Sequence, residues 1–81
     1  MILVDIYVPA VNEIYDFELN ENLPAGDLIP QIAALTAKQE NMEWNCDAEM
    51  HLYAFCHGGI LNQELSLKRQ GVKSGERLIL F

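Results

Sequence analysis

Apolar and polar residues alternate in two runs at the start of the chain. The first run places apolar side chains at Ile2, Val4, Ile6 and Val8, and the second, over Tyr15–Leu19, places Tyr15, Phe17 and Leu19 on one side. A period of two predicts strands with one face toward a core. The intervening segment, residues 9–12, contains proline and asparagine and predicts a turn, so the two strands should form a hairpin.

The pattern then changes to a helical period, from Gly26 or Asp27 to Gln39. The side predicted to face the core carries Leu28, Ile29, Ile32, Leu35 and Thr36. Asp27 suits the positive end of the helix dipole. Pro30 is predicted to lie in the first turn, where backbone N–H groups have no intrahelical acceptor, and to fix the start of the helix.

The second half of the chain predicts shorter elements. After a polar loop they are a strand over residues 50–57, a Gly58-Gly59 turn, a short strand over residues 60–61, a helical turn over residues 65–67 and a final strand over residues 77–81. The order ββαβ(β)β predicts an α+β domain spanning residues 1–81. Its mixed four- to five-stranded sheet should carry one helix on one face.

Composition and charge narrow the possible functions. With 81 residues, 51% of them hydrophobic, the chain can form one core. Neither a basic leader nor a long apolar run is present, so a soluble cytoplasmic protein without membrane insertion is expected. The net charge of −7 divides into −9 for residues 1–50 and +2 for residues 51–81. An acidic surface disfavours nucleic acid and anionic lipid as partners.

The residue types that metals and catalysis use are present but poorly spaced. Cys46, His51, Cys56 and His57 could each ligate zinc, but His51 and Cys56 should point to opposite faces of one strand. We therefore expect a buried Cys56, no metal or other cofactor and no Cys46–Cys56 disulfide. Because no nucleophile lies beside a base in a suitable context, we expect no enzymatic activity.

Several segments resemble ubiquitin, which has a β-grasp fold. Residues 52–61, with the Gly58-Gly59 turn, look like its third and fourth strands, and residues 65–80 look like its closing segment. Leu23-Pro24 and Leu28-Ile29-Pro30 are similar to the helix entry of one family within this fold. That family is the YukD/EsaB-like proteins of bacterial type VII secretion, together with the N-terminal cytosolic domains of EccD membrane proteins.

The resemblance implies a domain that binds protein, and the alternation indicates which surface it would use. The sheet face away from the helix is predicted to carry Leu3, Tyr7, Tyr53, Phe55 and Ile79, with Phe81 at its margin. Such an apolar cluster is typical of an interface. Arg77, Lys68 and Arg69 are expected to border it and to orient an acidic partner.

These observations leave three functional hypotheses. The first is an accessory or regulatory component of a type VII secretion system, acting on another component of that apparatus. The second is a ubiquitin-like adaptor or regulator unrelated to secretion. The third is a sulfur carrier or conjugated modifier; such proteins work through a flexible Gly-Gly tail, whereas Gly58-Gly59 here is an internal turn, so conjugation is not expected.

Overall fold

The computed structural model describes residues 1–42 and 50–81, which form a mixed sheet and one helix. The elements are β1 (Ile2–Val8), β2 (Glu13–Leu19), α1 (Ala25–Gln39), β3 (Leu52–Ala54), β4 (Gly59–Ile60) and β5 (Arg77–Leu80). The strand order is β2-β1-β5-β3-β4; β1 and β5 are parallel and the other neighbours antiparallel. The predicted α+β class, with a mixed sheet and one helix, is confirmed. Trp44 and Cys46 lie outside the described residues.

The core lies between α1 and one face of the sheet, as the alternation predicts. Each strand of the hairpin contributes every second side chain, and β5 contributes Leu78 and Leu80. The other large residues of this core, all buried, are Val4, Ile6, Val8, Phe17, Leu19, Leu28, Ile29, Ile32, Leu52, Leu61, Leu67 and Val72. Since a strand residue's two neighbours point to the opposite face, the positions between these residues define the other surface of the sheet.

The start of α1 is fixed by a loop from the second half of the chain. Pro24 precedes the helix and provides no side-chain cap. Instead, the Ala25 N–H donates to the Leu65 carbonyl and the Gly26 N–H to the Gln63 carbonyl, each at 2.9 Å. These bonds satisfy amides that a helix cannot satisfy by itself. The helix therefore begins slightly earlier than its sequence predicts.

Two predictions about α1 are wrong. Pro30 lies inside the helix, beyond its first turn, so it does not fix the helix start and removes one intrahelical hydrogen bond. Leu35 was predicted to face the core but is 53% exposed. It lies beside Tyr15 and Phe17 of β2, at the edge of the described sheet, where the strands cover only part of the leucine side chain.

The third strand is shorter than predicted, and this changes the environment of Cys56. Pairing of β3 ends at Ala54, and residues 55–58 form a turn in which the Gly58 N–H donates to the Ala54 carbonyl. Cys56 is therefore exposed rather than buried. The fourth strand is Gly59–Ile60 rather than residues 60–61, and Leu61 turns into the core.

Gly71 supports a stability prediction because its backbone is left-handed, with φ of 78°. A Cβ at this position would meet nothing within 4 Å, so the cost of a side chain is conformational. We expect Gly71→Ala to lower the free energy of unfolding by about 1–2 kcal/mol. Urea unfolding followed by circular dichroism measures the change. The control is Gly59→Ala, where space is equally open and φ is not positive; equal losses in both variants would contradict the prediction.

Candidate functional site: the open face of the sheet

The surface of the sheet opposite α1, called the open face below, carries a continuous line of apolar side chains. The pairing register places Tyr7 beside Ile14 on one side and Ile79 on the other, and Tyr53 beside both Ile79 and Ile60. Residues paired across neighbouring strands project from the same face. Each strand thus contributes one member to an apolar row, in spatial order Ile14, Tyr7, Ile79, Tyr53 and Ile60.

Aromatic side chains extend this apolar row at one end of the strands. Phe55 stacks edge-on against Tyr53, with 5.3 Å between ring centroids, and is 57% exposed. Phe55, Tyr7, Ile14, Ile79 and Arg77 line a shallow depression of about 240 Å³. Ile14 and Ile60, at opposite ends of the row, are 49% and 52% exposed. A contiguous, solvent-facing apolar surface of this kind is typical of a binding site.

The structure brings most of the predicted binding residues together and separates one. Tyr7, Tyr53, Phe55 and Ile79 form the centre of the surface, and Arg77 borders the depression. Leu3 is exposed on the same face, but Asp5 stands between it and Tyr7 along β1. Its backbone is bonded to Ser74 and Gly75. Leu3 is therefore outside the contiguous cluster.

Sequence reasoning missed Ile14 and Ile60. Ile14 lies just before the predicted start of the second strand; a strand that starts at Glu13, as observed, gives Ile14 the phase of the open face. Ile60 was recognised only as part of a short strand. Its place opposite Tyr53 follows from the tight turn between β3 and β4, which the sequence does not define to the residue.

A second line of residues, called the charged row, runs beside the apolar row. It consists of Asp16, Asp5 and Arg77, which face one another across β2, β1 and β5. The Arg77 Nη2 atom lies 3.8 Å from the Asp5 Oδ2 atom. A hydrogen bond with Asp5, together with repulsion from its charge, raises the pKa of the Asp16 carboxyl. Two carboxylates thus lie in one row with a single guanidinium, and the guanidinium contacts Asp5.

The raised pKa of Asp16 predicts a pH-dependent stability. The folded chain binds a proton at Asp16 more tightly than the unfolded chain, so the repulsion lowers stability at neutral pH and disappears as pH falls through the raised pKa. We expect Asp16→Asn to raise the melting temperature at neutral pH. This gain should shrink as the pH falls toward 3.8, the ordinary pKa of an aspartate side chain. Thermal melts across this range, compared with the exposed loop variant Glu64→Gln, measure the gain. A gain independent of pH would contradict the assignment.

The basic residues before β5 are placed differently from the prediction. Lys68 lines a separate depression with Ile2, Glu21 and Val72, and its N–H donates to the Glu21 carbonyl. The Arg69 N–H donates to the Ser66 hydroxyl in the same turn region. Ile2 and Val72 belong to the helix side of the sheet, so Lys68 does not border the apolar row. Arg77 alone of the predicted basic residues lines the depression on the open face.

A second concave surface lies between α1 and β2. This groove of about 620 Å³ is lined by residues of both elements, among them Tyr15, Phe17, Leu35 and Lys38. The Tyr15 hydroxyl donates a hydrogen bond to the Glu40 carboxylate. Burial of the ring, and then this hydrogen bond, raise the pKa of Tyr15 to about 12. The phenol is therefore neutral at physiological pH and serves as a link between β2 and the end of α1.

Two findings concern metal binding and the reactivity of the described cysteine. Among residues 1–42 and 50–81, no three His, Cys, Asp or Glu side chains come close enough to hold a metal ion. Desolvation, and then the neighbouring Glu76 carboxylate, raise the pKa of the Cys56 thiol, which opposes formation of the nucleophilic thiolate. The helix in these ranges is too short to cross a membrane.

Comparison with known proteins identifies the fold. No protein-family model matches the chain, and no curated protein sequence is similar to it. Among solved structures, an ubiquitin from Caldiarchaeum subterraneum is 18% identical with a TM-score of 0.73, over 98% of this chain and 89% of that chain. The EccD5 ubiquitin-like domain from Mycobacterium xenopi is 21% identical with a TM-score of 0.72, over 99% of this chain and 91% of that chain.

A component of an ESX-5 inner membrane complex shows the same likeness at 17% identity, with a TM-score of 0.76. The match covers 99% of this chain and 20% of that component. At these identities, the comparisons establish the fold alone. The chain is a ubiquitin-like β-grasp domain, as its sequence predicts, with an apolar row across its open face.

Proposed function

We propose that this chain is a non-conjugating ubiquitin-like module that binds another protein through its open face. The carrying observation is the apolar row, in which all five strands present an apolar side chain side by side. Buried aromatic and aliphatic anchors supply most of the binding free energy at protein interfaces. Tyr7, Tyr53 and Ile79 are already partly buried in the sheet, so binding would immobilise little additional side-chain freedom.

The process in which this module acts is proposed to be bacterial type VII secretion. The domain would be an accessory or regulatory component on the cytoplasmic side, bound to another protein of the apparatus. Two observations support this assignment: the YukD/EsaB-like residues at the helix entry, and the shared fold of the EccD5 ubiquitin-like domain. Leu23 packs against the core and Pro24 forms an isolated β-bridge with Ser66, so the Leu23-Pro24 motif has a structural role in this chain.

Affinity purification from detergent-solubilised cells of the native host tests this assignment. The tagged wild-type chain is compared with Ile79→Ser and with Leu35→Ser, which removes an exposed leucine from the helix side. We expect wild type and Leu35→Ser to recover type VII membrane components, identified by mass spectrometry, and Ile79→Ser to lose them. Recovery of only unrelated cytosolic proteins would favour the adaptor hypothesis. Equal recovery by all three chains would contradict the open face as the interface.

A further inference from the structure

The charged row indicates the chemistry of the partner that the open face accepts. Strand positions on this face carry Asp5, Asp16 and Glu18 against a single cation, Arg77. The face is therefore acidic beside its apolar row, although residues 51–81 carry a net positive charge. Lys68 and Lys73, which contribute to that positive charge, line the depression beside Ile2 and Glu21 instead.

The free protein leaves the carboxylates of this row incompletely compensated. Asp5 and Asp16 are directly opposite each other on β1 and β2, and Arg77 reaches only Asp5, at 3.8 Å. The side chains of Arg77 and Asp5 are 55% and 41% exposed, so a partner group can approach them. Like charges directly opposite each other on a sheet are unfavourable, and a cation placed between them relieves the repulsion.

We propose that the open face binds a protein segment that combines an aliphatic or aromatic anchor with a lysine or arginine. The anchor occupies the depression between Tyr7, Ile14 and Phe55, and the cation lies against Asp16 and Asp5. This inference rests on the proposed function, since it concerns the same face. It replaces the expectation of an acidic partner, which depended on Lys68 and Arg69 bordering the surface.

The geometry also sets the spacing between the two partner groups. Asp5 and Tyr7, like Asp16 and Ile14, are two residues apart on their strands, a separation of about 7 Å at roughly 3.3 Å per residue. In a helical partner segment, residues three or four apart are about 5–6 Å apart at their Cβ atoms. A partner helix with its cation one turn from its anchor therefore fits both rows at once.

Selection from a random-peptide display library tests the proposal. The full chain is immobilised in four forms: wild type, Ile79→Ser, Asp16→Asn and Glu64→Gln. Glu64→Gln is the matched control for Asp16→Asn, because it removes one exposed carboxylate from a loop beside α1. We expect peptides selected on wild type to combine apolar residues with Lys or Arg. A synthetic peptide of the selected sequence should bind Asp16→Asn about two- to fivefold more weakly, as for an exposed ion pair, and Glu64→Gln equally well. Circular dichroism verifies that each variant is folded.

Salt dependence adds a second readout. In about 1 M salt the screening length falls to about 3 Å, so wild-type affinity should fall toward that of Asp16→Asn. The proposal would be overturned if the selected peptides were acidic or uncharged, or if they bound Asp16→Asn as well as wild type. The proposed function would remain intact in either case, provided that Ile79→Ser loses binding. Undiminished binding to Ile79→Ser would overturn both. Two other results would also overturn the proposal. One is that the wild-type chain retains no peptide. The other is that the wild-type chain forms a dimer that Ile79→Ser abolishes, since the open face would then bind a second copy of the chain.

Discussion

Replacing Leu80 by alanine is expected to lower the free energy of unfolding by about 2–5 kcal/mol, the range seen for truncation of buried leucines. Leu80 is 1% exposed, pairs with Leu52 of β3 and points from β5 into the core beneath α1. Truncation removes buried methyl groups and leaves a cavity that the rigid sheet can fill only in part. Small domains have roughly 5–15 kcal/mol of stability in total, so the variant should be markedly destabilised.

Urea unfolding followed by circular dichroism and by aromatic fluorescence measures this loss. Leu35→Ala provides the control because Leu35 is 53% exposed, and exposed positions usually change stability by about 0.5 kcal/mol or less. If Leu80→Ala proved as mild as Leu35→Ala, the register of β5 against β3 would be wrong by one residue, and the apolar row would belong to the core.

Replacing the adjacent Ile79 by serine is expected to have the opposite profile. Ile79 projects from the other side of β5, into the centre of the apolar row. Its loss should weaken partner binding at least tenfold, as removal of a central anchor does. Stability should fall by only about 1 kcal/mol, the span of strand propensity at a half-buried position. Tyr53→Ser should behave similarly.

Calorimetric titration with the partner recovered from the native host, together with urea unfolding of the free chains, separates the two effects. A loss of stability in Ile79→Ser as large as that of Leu80→Ala would mean that Ile79 is a core residue. Unchanged affinity in a well-folded Ile79→Ser would show that the partner binds elsewhere on the domain.

The parts of the fold that were predictable from sequence are those set by local periodicity. The alternation in β1 and β2 identified the core face of the hairpin, and the helical period identified most of the buried face of α1. These patterns work because burial on one side imposes a period of two on strands and 3.6 on helices. Tyr7, Tyr53, Phe55 and Ile79 were assigned to one face for the same reason.

What the sequence did not reveal depends on which distant segments meet. The start of α1 is satisfied by carbonyls of Gln63 and Leu65, which no local signal announces. Leu35 has a core-like period but lies over the sheet edge, and Cys56 follows a strand that ends earlier than its composition suggests. The opposition of Asp5 and Asp16 required the exact hairpin register, since a shift of one residue would have placed the two carboxylates on opposite faces of the sheet.

The most direct test of the open face as a protein interface is a nuclear magnetic resonance titration of the isotope-labelled chain with the recovered partner. We predict that the largest perturbations fall on the apolar row, at Ile14, Tyr7, Ile79, Tyr53 and Ile60, and extend to Asp5 and Asp16 of the charged row. Perturbations confined to the groove between α1 and β2, around Leu35 and Lys38, would contradict the account.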